Sequence, residues 1–291
     1  MKPPAFEYYC PAGLDQALAL LAEHPDAKPL AGGQSLIPAM NFRLAAPPAL
    51  VDLNGIAELS GITRRPDGGI RIGAMTRHRA VETSDLVQEL APLLAETMPF
   101  IAHPQIRNRG TVGGSLAHAD PAAELPAVMV ALRAELVLRG PGGERRVSAE
   151  AFFTGLFATA LEPGELLVAV ELPPMPARAG WAFEEMARRH GDYALVGVAV
   201  LLAVDQAGRC EQARITLLSV GEGPVPAAQA TAKLSGRMPD EDVIGQAAEA
   251  AGGDDIDPPS DIHASAAFRR QLARVLTRRA LTRAVARAAG S

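Results

Sequence analysis

Two glycine pairs carry the chemistry that this sequence offers. The first stands in Pro29-Leu30-Ala31-Gly32-Gly33-Gln34-Ser35-Leu36 and the second in Gly110-Thr111-Val112-Gly113-Gly114-Ser115-Leu116-Ala117. Paired glycines have no Cβ to block a close approach and admit positive φ, so successive backbone N–H groups can turn toward one anion. Ser35, Thr111 and Ser115 add hydroxyl donors. Phosphate is the natural target, and two such loops distant in sequence could grip the two phosphates of one pyrophosphate. Taken singly, either pair is more often a plain tight turn; context favours the anion.

Other chemistries lack their residues. No Gly-x-Gly-x-x-Gly follows a strand, and no phosphate loop of the Gly-x-x-x-x-Gly-Lys-Ser/Thr kind is present. His103, His118 and His190 are not spaced as ligands on one helix face, and no cysteine stands beside them, so no metal site is expected. His118 and Asp120 could form an acid–base pair or simply shape the loop after the second glycine pair. Cys10 and Cys210, far apart, can hold neither a four-cysteine iron–sulfur cluster nor a disulfide framework. No residue is assigned as a catalytic acid or base.

Secondary structure must deliver the loops, and the apolar pattern supplies it. Leu14, Ala17, Leu18 and Leu21 recur at helical spacing, which predicts an amphipathic helix over 13–24 ending near His24-Pro25. A short strand over Lys28–Ala31 runs into the first loop, and Ala49–Leu53 reads as another. Residues 55–69 read as irregular, closing in a hairpin turn, Arg64-Arg65-Pro66-Asp67-Gly68-Gly69, that leads into the half-buried strand Ile70-Arg71-Ile72. Helices are predicted over 80–98 and 122–133, and strands over Glu135–Leu138 and Leu166–Leu172.

Pro173-Pro174-Met175-Pro176 excludes helix and central strand alike and reads as a linker. Beyond it, Trp181–Ala187, Ala194–Asp205 and Ala213–Val220 predict three antiparallel strands, the last two joined through Asp205-Gln206-Ala207-Gly208. Helices follow at 240–251 and 264–288, separated by the acidic, breaker-rich stretch 252–259. The last helix carries Arg269, Arg270, Arg274, Arg278, Arg279, Arg283 and Arg287 opposite an apolar face of Phe268, Leu272, Val275 and Leu276. Such arginines read first as a solvated face, with a protein contact as the alternative; nucleic acid is disfavoured because no aromatic platform accompanies them.

Composition sets wide bounds. A chain of 291 residues, 48% hydrophobic, exceeds what one core usually fills, so two or three subdomains are expected. A net charge of -5 gives no overall pull toward nucleic acid or anionic membrane. The N-terminal residues lack the apolar run of a signal peptide and no segment is suited to span a bilayer, so a cytoplasmic location is expected.

The segment from His103 to Pro126, the loop Pro29–Leu36, Ile72-Gly73-Ala74-Met75-Thr76 and Ala187-Arg188-Arg189-His190-Gly191-Asp192-Tyr193-Ala194 stand in one order along nearly the whole chain. Together they resemble the FAD-binding medium subunit of the molybdenum hydroxylase (xanthine dehydrogenase) family, most closely its carbon monoxide dehydrogenase members. The resemblance implies an α+β fold. Residues 1–175 would form a two-lobed FAD-binding domain of the vanillyl-alcohol-oxidase/PCMH type, with lobes of about 1–55 and 56–175. Residues 177–291 would form a C-terminal domain of the carbon monoxide dehydrogenase flavoprotein type, a three-stranded antiparallel sheet with helices.

The same resemblance implies site residues. The pyrophosphate of FAD would lie against Gly32, Gly33, Gln34 and Ser35 of the first loop and Thr111, Gly113, Gly114 and Ser115 of the second, with Pro29, Leu30, Ala31, Leu36, Gly110 and Ala117 completing the two segments. An acidic contact to the ribityl or ribose part falls on Asp120 or Glu124. Ile101 and Leu167 match apolar positions near the flavin. Tyr193 matches an aromatic beside the isoalloxazine ring, or is an ordinary tyrosine at a strand entrance. Gln34 departs from the family, many members of which have His there, and this speaks for FAD held non-covalently. Further implied are a large molybdopterin subunit and a small 2Fe-2S subunit, arranged as a dimer of heterotrimers, with electrons relayed through the FAD to an external acceptor. The alternative is a free-standing FAD-dependent oxidoreductase of the same fold.

Overall fold

Short apolar runs in the first part of the chain build a small parallel sheet, visible in the computed structural model, which describes residues 1–290. Its strands are β1 (Glu7–Tyr9), β2 (Lys28–Leu30) and β3 (Ala49–Asp52), in the order β1-β3-β2. β3 is buried at every residue because it is central. The crossover helix α1 (Leu14–Glu23) turns Leu14, Ala17 and Leu21 inward, and α2 (Leu36–Asn41) begins directly after the first glycine loop.

A second sheet is wholly antiparallel. Its strands are β4 (Ile62–Arg64), β5 (Ile70–Gly73), β6 (Glu135–Gly140), β7 (Gly143–Ser148) and, after the small hairpin β8 (Phe153–Gly155) and β9 (Ala158–Thr159), β10 (Leu166–Leu172). The order is β4-β5-β10-β6-β7, with β10 central and buried throughout. Two of these strands lie outside the sequence expectation. β4 falls in the stretch read as irregular, and β7 carries no apolar alternation; both are edge strands that take their order from a neighbour.

Between β5 and β6 run α3 (His78–Glu82), α4 (Asp85–Leu90), α5 (Pro92–Thr97), α6 (Pro104–Arg107), α7 (Val112–His118) and α8 (Glu124–Ala131). The single helix expected over 80–98 is thus three short ones. Ser84 Oγ accepts from the Val87 N–H to start α4, and Pro92 stands at the first turn of α5, where its missing N–H costs nothing but ends the preceding helix. The helix expected from 122 starts at Glu124, because Asp120 Oδ1 accepts from the Ala122 N–H (2.9 Å) and holds the chain in a turn.

The third sheet orders β11 (Ala179–Ala187), β12 (Ala194–Val204), β13 (Cys210–Leu218) and β14 (Val225–Pro226) sequentially and antiparallel, three long strands and a two-residue fourth. β12 is a continuous apolar run, buried at every position, since α8 lies on the sheet as well as the C-terminal helices. After the short α9 (Ala149–Phe152), those helices are α10 (Ala228–Leu234), which the apolar pattern did not predict, α11 (Glu241–Gly253) and α12 (Ala266–Ala288). α12 lies so close to β11 that a Cβ at Gly180 would fall 1.8 Å from the Ala284 carbonyl oxygen.

The arginines of α12 are for the most part not a solvated face. Arg269, 5% exposed, donates to the Ser219 carbonyl (3.1 Å) and pairs with Asp261 (2.7 Å). Arg270 donates to the Gly253 carbonyl (2.9 Å) and pairs with Asp257. Arg283 and Arg287 both reach Glu96 of α5 (2.8 and 2.6 Å), whose Oε1 also accepts from the Phe183 N–H of β11 (3.0 Å). The helical pattern misplaces Arg269, which is buried on the packed face while Phe268 is exposed, and it cannot show which carboxylates and carbonyls a folded neighbour brings to the arginines. Among the described residues no helix is long and apolar enough to cross a membrane.

Candidate functional site

β2 delivers the first glycine loop and the turn after α6 delivers the second, and the fold brings them into contact. A Cβ at Gly32 would lie 2.4 Å from the Arg109 carbonyl oxygen and 2.8 Å from Gly110 Cα, and one at Gly114 would lie 3.2 Å from Ala31 Cβ. Close packing of loop on loop therefore demands glycine at 32. Gly33 has φ +70°, a left-handed conformation that side chains disfavour.

The loops differ in what they offer. Among the described residues, the N–H groups of Gly32, Gly33, Gln34 and Ser35 donate to no protein acceptor. In the second loop the Val112 N–H donates to the Thr76 carbonyl (3.0 Å), that of Gly113 to the Ala74 carbonyl (2.8 Å) and that of Gly114 to Thr111 Oγ1 (3.1 Å). Thr111 is thus the N-cap of α7, and its hydroxyl proton stays free to donate. The first loop supplies open amides; the second supplies the hydroxyls of Thr111 and Ser115. No carboxylate interrupts either loop, so the lining suits a dianionic pyrophosphate.

Residues outside both loops buttress them. Asn54 Nδ2 donates to the Ala31 carbonyl (2.9 Å) and to the Asp52 carboxylate, while its Oδ1 accepts from Arg77 Nη2 (2.6 Å). Arg77 Nη1 donates to the Arg109 carbonyl (2.6 Å). Burial and the neighbouring Arg109 cation hold Arg77 below its ordinary range, against the pull of Asp52. Burial pulls Asp52 up, but the Tyr8 hydroxyl and Asn54 N–H groups that bond it leave its carboxyl below the usual range. The buried His78 is pushed down to about 4 by burial and so is neutral; its Nε2 donates to the Thr111 carbonyl (2.9 Å). None of Asp52, Asn54, Arg77 and His78 was singled out from the sequence. Asn54 stands in the turn that follows β3, and Arg77-His78 directly follow the motif Ile72–Thr76; place in the chain was the only signal.

Downstream of the second loop, acidic groups gather. Glu124, the first residue of α8, is buried, and burial with the Asp120 charge pushes its carboxyl up to about 7. Glu185 on β11 is pushed up to about 8 by burial and by Glu124, and its buried Oε2 has no partner among the described residues. Tyr193 is 70% exposed, and partial burial together with the Asp120 and Glu124 carboxylates raises its phenol. The Ser219 N–H donates to the Pro121 carbonyl (2.9 Å) and Ser219 Oγ to the Ala194 carbonyl (2.6 Å), tying this acidic turn to the strand that follows Tyr193.

The remaining expected residues spread from loop to core. Pro29 and Ala117 are exposed, while Leu30 and Leu36 are half-buried. Gly110 has both backbone polar groups engaged, with Ile106 and His78. Ile101 and Leu167 belong to the core of the second lobe, and Arg107, paired with Glu82, donates to the Ile101 carbonyl (2.9 Å). His103 and His190 lie with ring centroids 6.4 Å apart, whereas His118 packs on Phe157. A cleft of about 920 Å³ between α11 and α12 shares no residue with either loop.

A parallel lobe and an antiparallel lobe joined by two contacting glycine loops, backed by an antiparallel sheet domain, define a flavin-binding oxidoreductase subunit of the PCMH type. Residues 4–175 match the family described as FAD binding domain in molybdopterin dehydrogenase, and residues 181–284 the CO dehydrogenase flavoprotein C-terminal domain. The chain is 43% identical to the 6-hydroxypseudooxynicotine dehydrogenase complex subunit alpha of Paenarthrobacter nicotinovorans, covering 99% of this chain and 97% of that one. It is 42% identical to the carbon monoxide dehydrogenase medium chain of Afipia carboxidovorans, covering 99% of each. A solved structure of carbon monoxide dehydrogenase from Hydrogenophaga pseudoflava superposes with a TM-score of 0.95 at 41% identity over 99% of both chains. The chain belongs to the FAD-binding medium subunits of the molybdenum hydroxylase family.

Proposed function

We propose that this chain holds one non-covalent FAD between its two glycine loops and relays electrons from a 2Fe-2S subunit to an external acceptor. Substrate oxidation would take place on a large molybdopterin subunit, the whole forming a dimer of heterotrimers in the cytoplasm. The observation that carries this reading is the contact of the two loops, with the amides of Gly32, Gly33, Gln34 and Ser35 open and the hydroxyls of Thr111 and Ser115 beside them. FAD, when bound, supplies a centre that takes up electrons singly or in pairs, so that one-electron carriers can serve a two-electron acceptor.

The chain's own residues then have separable tasks. The first-loop amides and the second-loop hydroxyls bind the pyrophosphate. Asp120 or Glu124 would meet a ribityl or ribose hydroxyl, and a carboxyl at Glu124, raised to about 7 by burial, could act there as acceptor or donor. The buried Ile101 and Leu167 would offer the flavin apolar contact, and the exposed Tyr193 would lie beside its ring. The lobes divide near residue 55, between β3 and β4, and the C-terminal domain begins after the proline run ending at Pro176. Two relatives named for unlike substrates are equally similar to this chain, at 43% and 42%, which supports placing substrate choice in another polypeptide.

Acid precipitation of the purified protein tests the cofactor assignment. A yellow supernatant with FAD near one per chain is expected; flavin left in the pellet, or FMN in its place, refutes it. Copurification of molybdenum and iron–sulfur subunits tests the assembly.

A further inference from the structure

The open amides of the first loop do not aim themselves. A trans peptide sets the N–H of one residue antiparallel to the carbonyl of the residue before it, so a tethered carbonyl fixes the direction of the next N–H. The Ala31 carbonyl is tethered by Asn54 Nδ2 (2.9 Å), which fixes the Gly32 N–H. The Gly32 carbonyl is tethered by Gln34 Nε2 (2.9 Å), which fixes the Gly33 N–H. The Gly33 carbonyl accepts from the Ile37 N–H (3.2 Å), which fixes the Gln34 N–H. Every carbonyl that precedes these three open amides is held by the protein.

Asn54 is itself held from the other loop. Its Oδ1 accepts from Arg77 Nη2, and Arg77 Nη1 donates to the carbonyl of Arg109, two residues before Thr111. The guanidinium only donates, and the Asp52 carboxylate and Ala31 carbonyl only accept, so the Asn54 amide has one orientation that satisfies all its neighbours. Arg77 also pairs in backbone with Thr111 as an isolated bridge. Carbonyl 31 and carbonyl 109 are therefore joined through two side chains, the chain Ala31–Asn54–Arg77–Arg109, although the loops are separated by the whole of α2 to α6.

We propose that Arg77 and Asn54 are positioning residues that lock the two glycine loops in register and, with Gln34, aim the first-loop amides at a pyrophosphate before it binds. This rests on the cradle reading above. Preorganisation of this kind lowers the ordering cost paid on binding, so its loss shows as affinity.

The test is titration of the flavin-free full-length chain with FAD, and in competition with ADP, which carries the pyrophosphate and lacks the flavin ring. Arg77→Met and the isosteric Asn54→Asp, which turns an oxygen toward the Ala31 carbonyl, should each weaken FAD and ADP by the same factor, about tenfold or more. Arg77→Lys, keeping one donor, should recover part of the loss. Gln34→Ala touches only its own loop and should weaken both ligands with the thermal midpoint of the flavin-free chain unchanged; it tests the aim of the amides, and Asn54→Asp and Arg77→Lys test the lock between the loops if Arg77→Met does not fold. If the wild type binds FAD and ADP and the folded variants bind both within about twofold of it, the inference falls and the cradle stands. Loss of FAD with ADP affinity intact overturns it equally. If the wild-type chain binds neither ligand, the cradle itself is wrong and the inference falls with it.

Discussion

At the scale of single residues, the second loop does two jobs with one hydroxyl. Thr111 Oγ1 accepts the Gly114 N–H and keeps its own proton for a ligand. A Cβ at Gly114 would lie 2.7 Å from that oxygen. Gly114→Asp therefore displaces the cap and sets a carboxylate against a pyrophosphate, and flavin per chain after desalting should fall at least about tenfold. Normal flavin content would sink the two-loop site. The buried carboxyls make a pH prediction. Burial pushes the Glu124 carboxyl up to about 7 and that of Glu185 up to about 8, from the 4.5 of an ordinary glutamate. The folded chain thus binds protons that the unfolded chain releases, and stability declines as pH rises from about 4.5 to about 8, then levels. Glu185→Gln should flatten that decline and gain about 1–3 kcal/mol near pH 8.5, with little gain near pH 4.5. Thermal midpoints of the flavin-free chain across pH check this; a variant that tracks wild type at every pH refutes it.

At the scale of elements, α12 is joined to both domains. It abuts β11 at Gly180, where a Cβ would meet the Ala284 carbonyl at 1.8 Å, and it reaches α5 through Arg283, Arg287 and Glu96. Arg287 also lies 5.0 Å from the Trp181 ring and donates to the Trp181 carbonyl (2.6 Å). Gly180→Ala forces helix and strand apart and should cost about 3 kcal/mol in denaturant unfolding. Glu96→Ala strips one acceptor group from two arginines and from the Phe183 N–H at once, and should cost about 2 kcal/mol. A Glu96 variant as stable as wild type would mean that those arginines find water as readily as the carboxylate.

At the scale of the whole molecule, the two cysteines, Cys10 exposed directly after β1 and Cys210 buried in β13, cannot supply the four thiolates that an iron–sulfur cluster needs. The isolated chain should take electrons from dithionite and pass them to an artificial acceptor, yet oxidise none of carbon monoxide, N-heterocycles or aldehydes. Turnover should appear only with the molybdenum and iron–sulfur subunits present. Substrate-dependent bleaching of the flavin in the isolated chain would overturn the relay and favour a free-standing flavoenzyme.

The glycine pairs, the long strands β10 to β13 and the helices α1, α11 and α12 were legible because each is encoded within a short window, by residue type or by apolar period. The loops announced themselves in the same way, whereas the acidic position at Asp120 or Glu124 came only from the resemblance to the family. Strands β4 and β7 were not legible, since three residues or a polar run become a strand only when a neighbour supplies the hydrogen bonds. The arginines of α12 looked solvated because their partners lie up to 191 residues away. Asn54 and Arg77 were silent for the same reason. Local sequence determines which backbone is free to bend and which side chains are apolar; only the tertiary structure decides which carbonyl a distant amide or guanidinium will meet, because that pairing depends on how whole lobes pack.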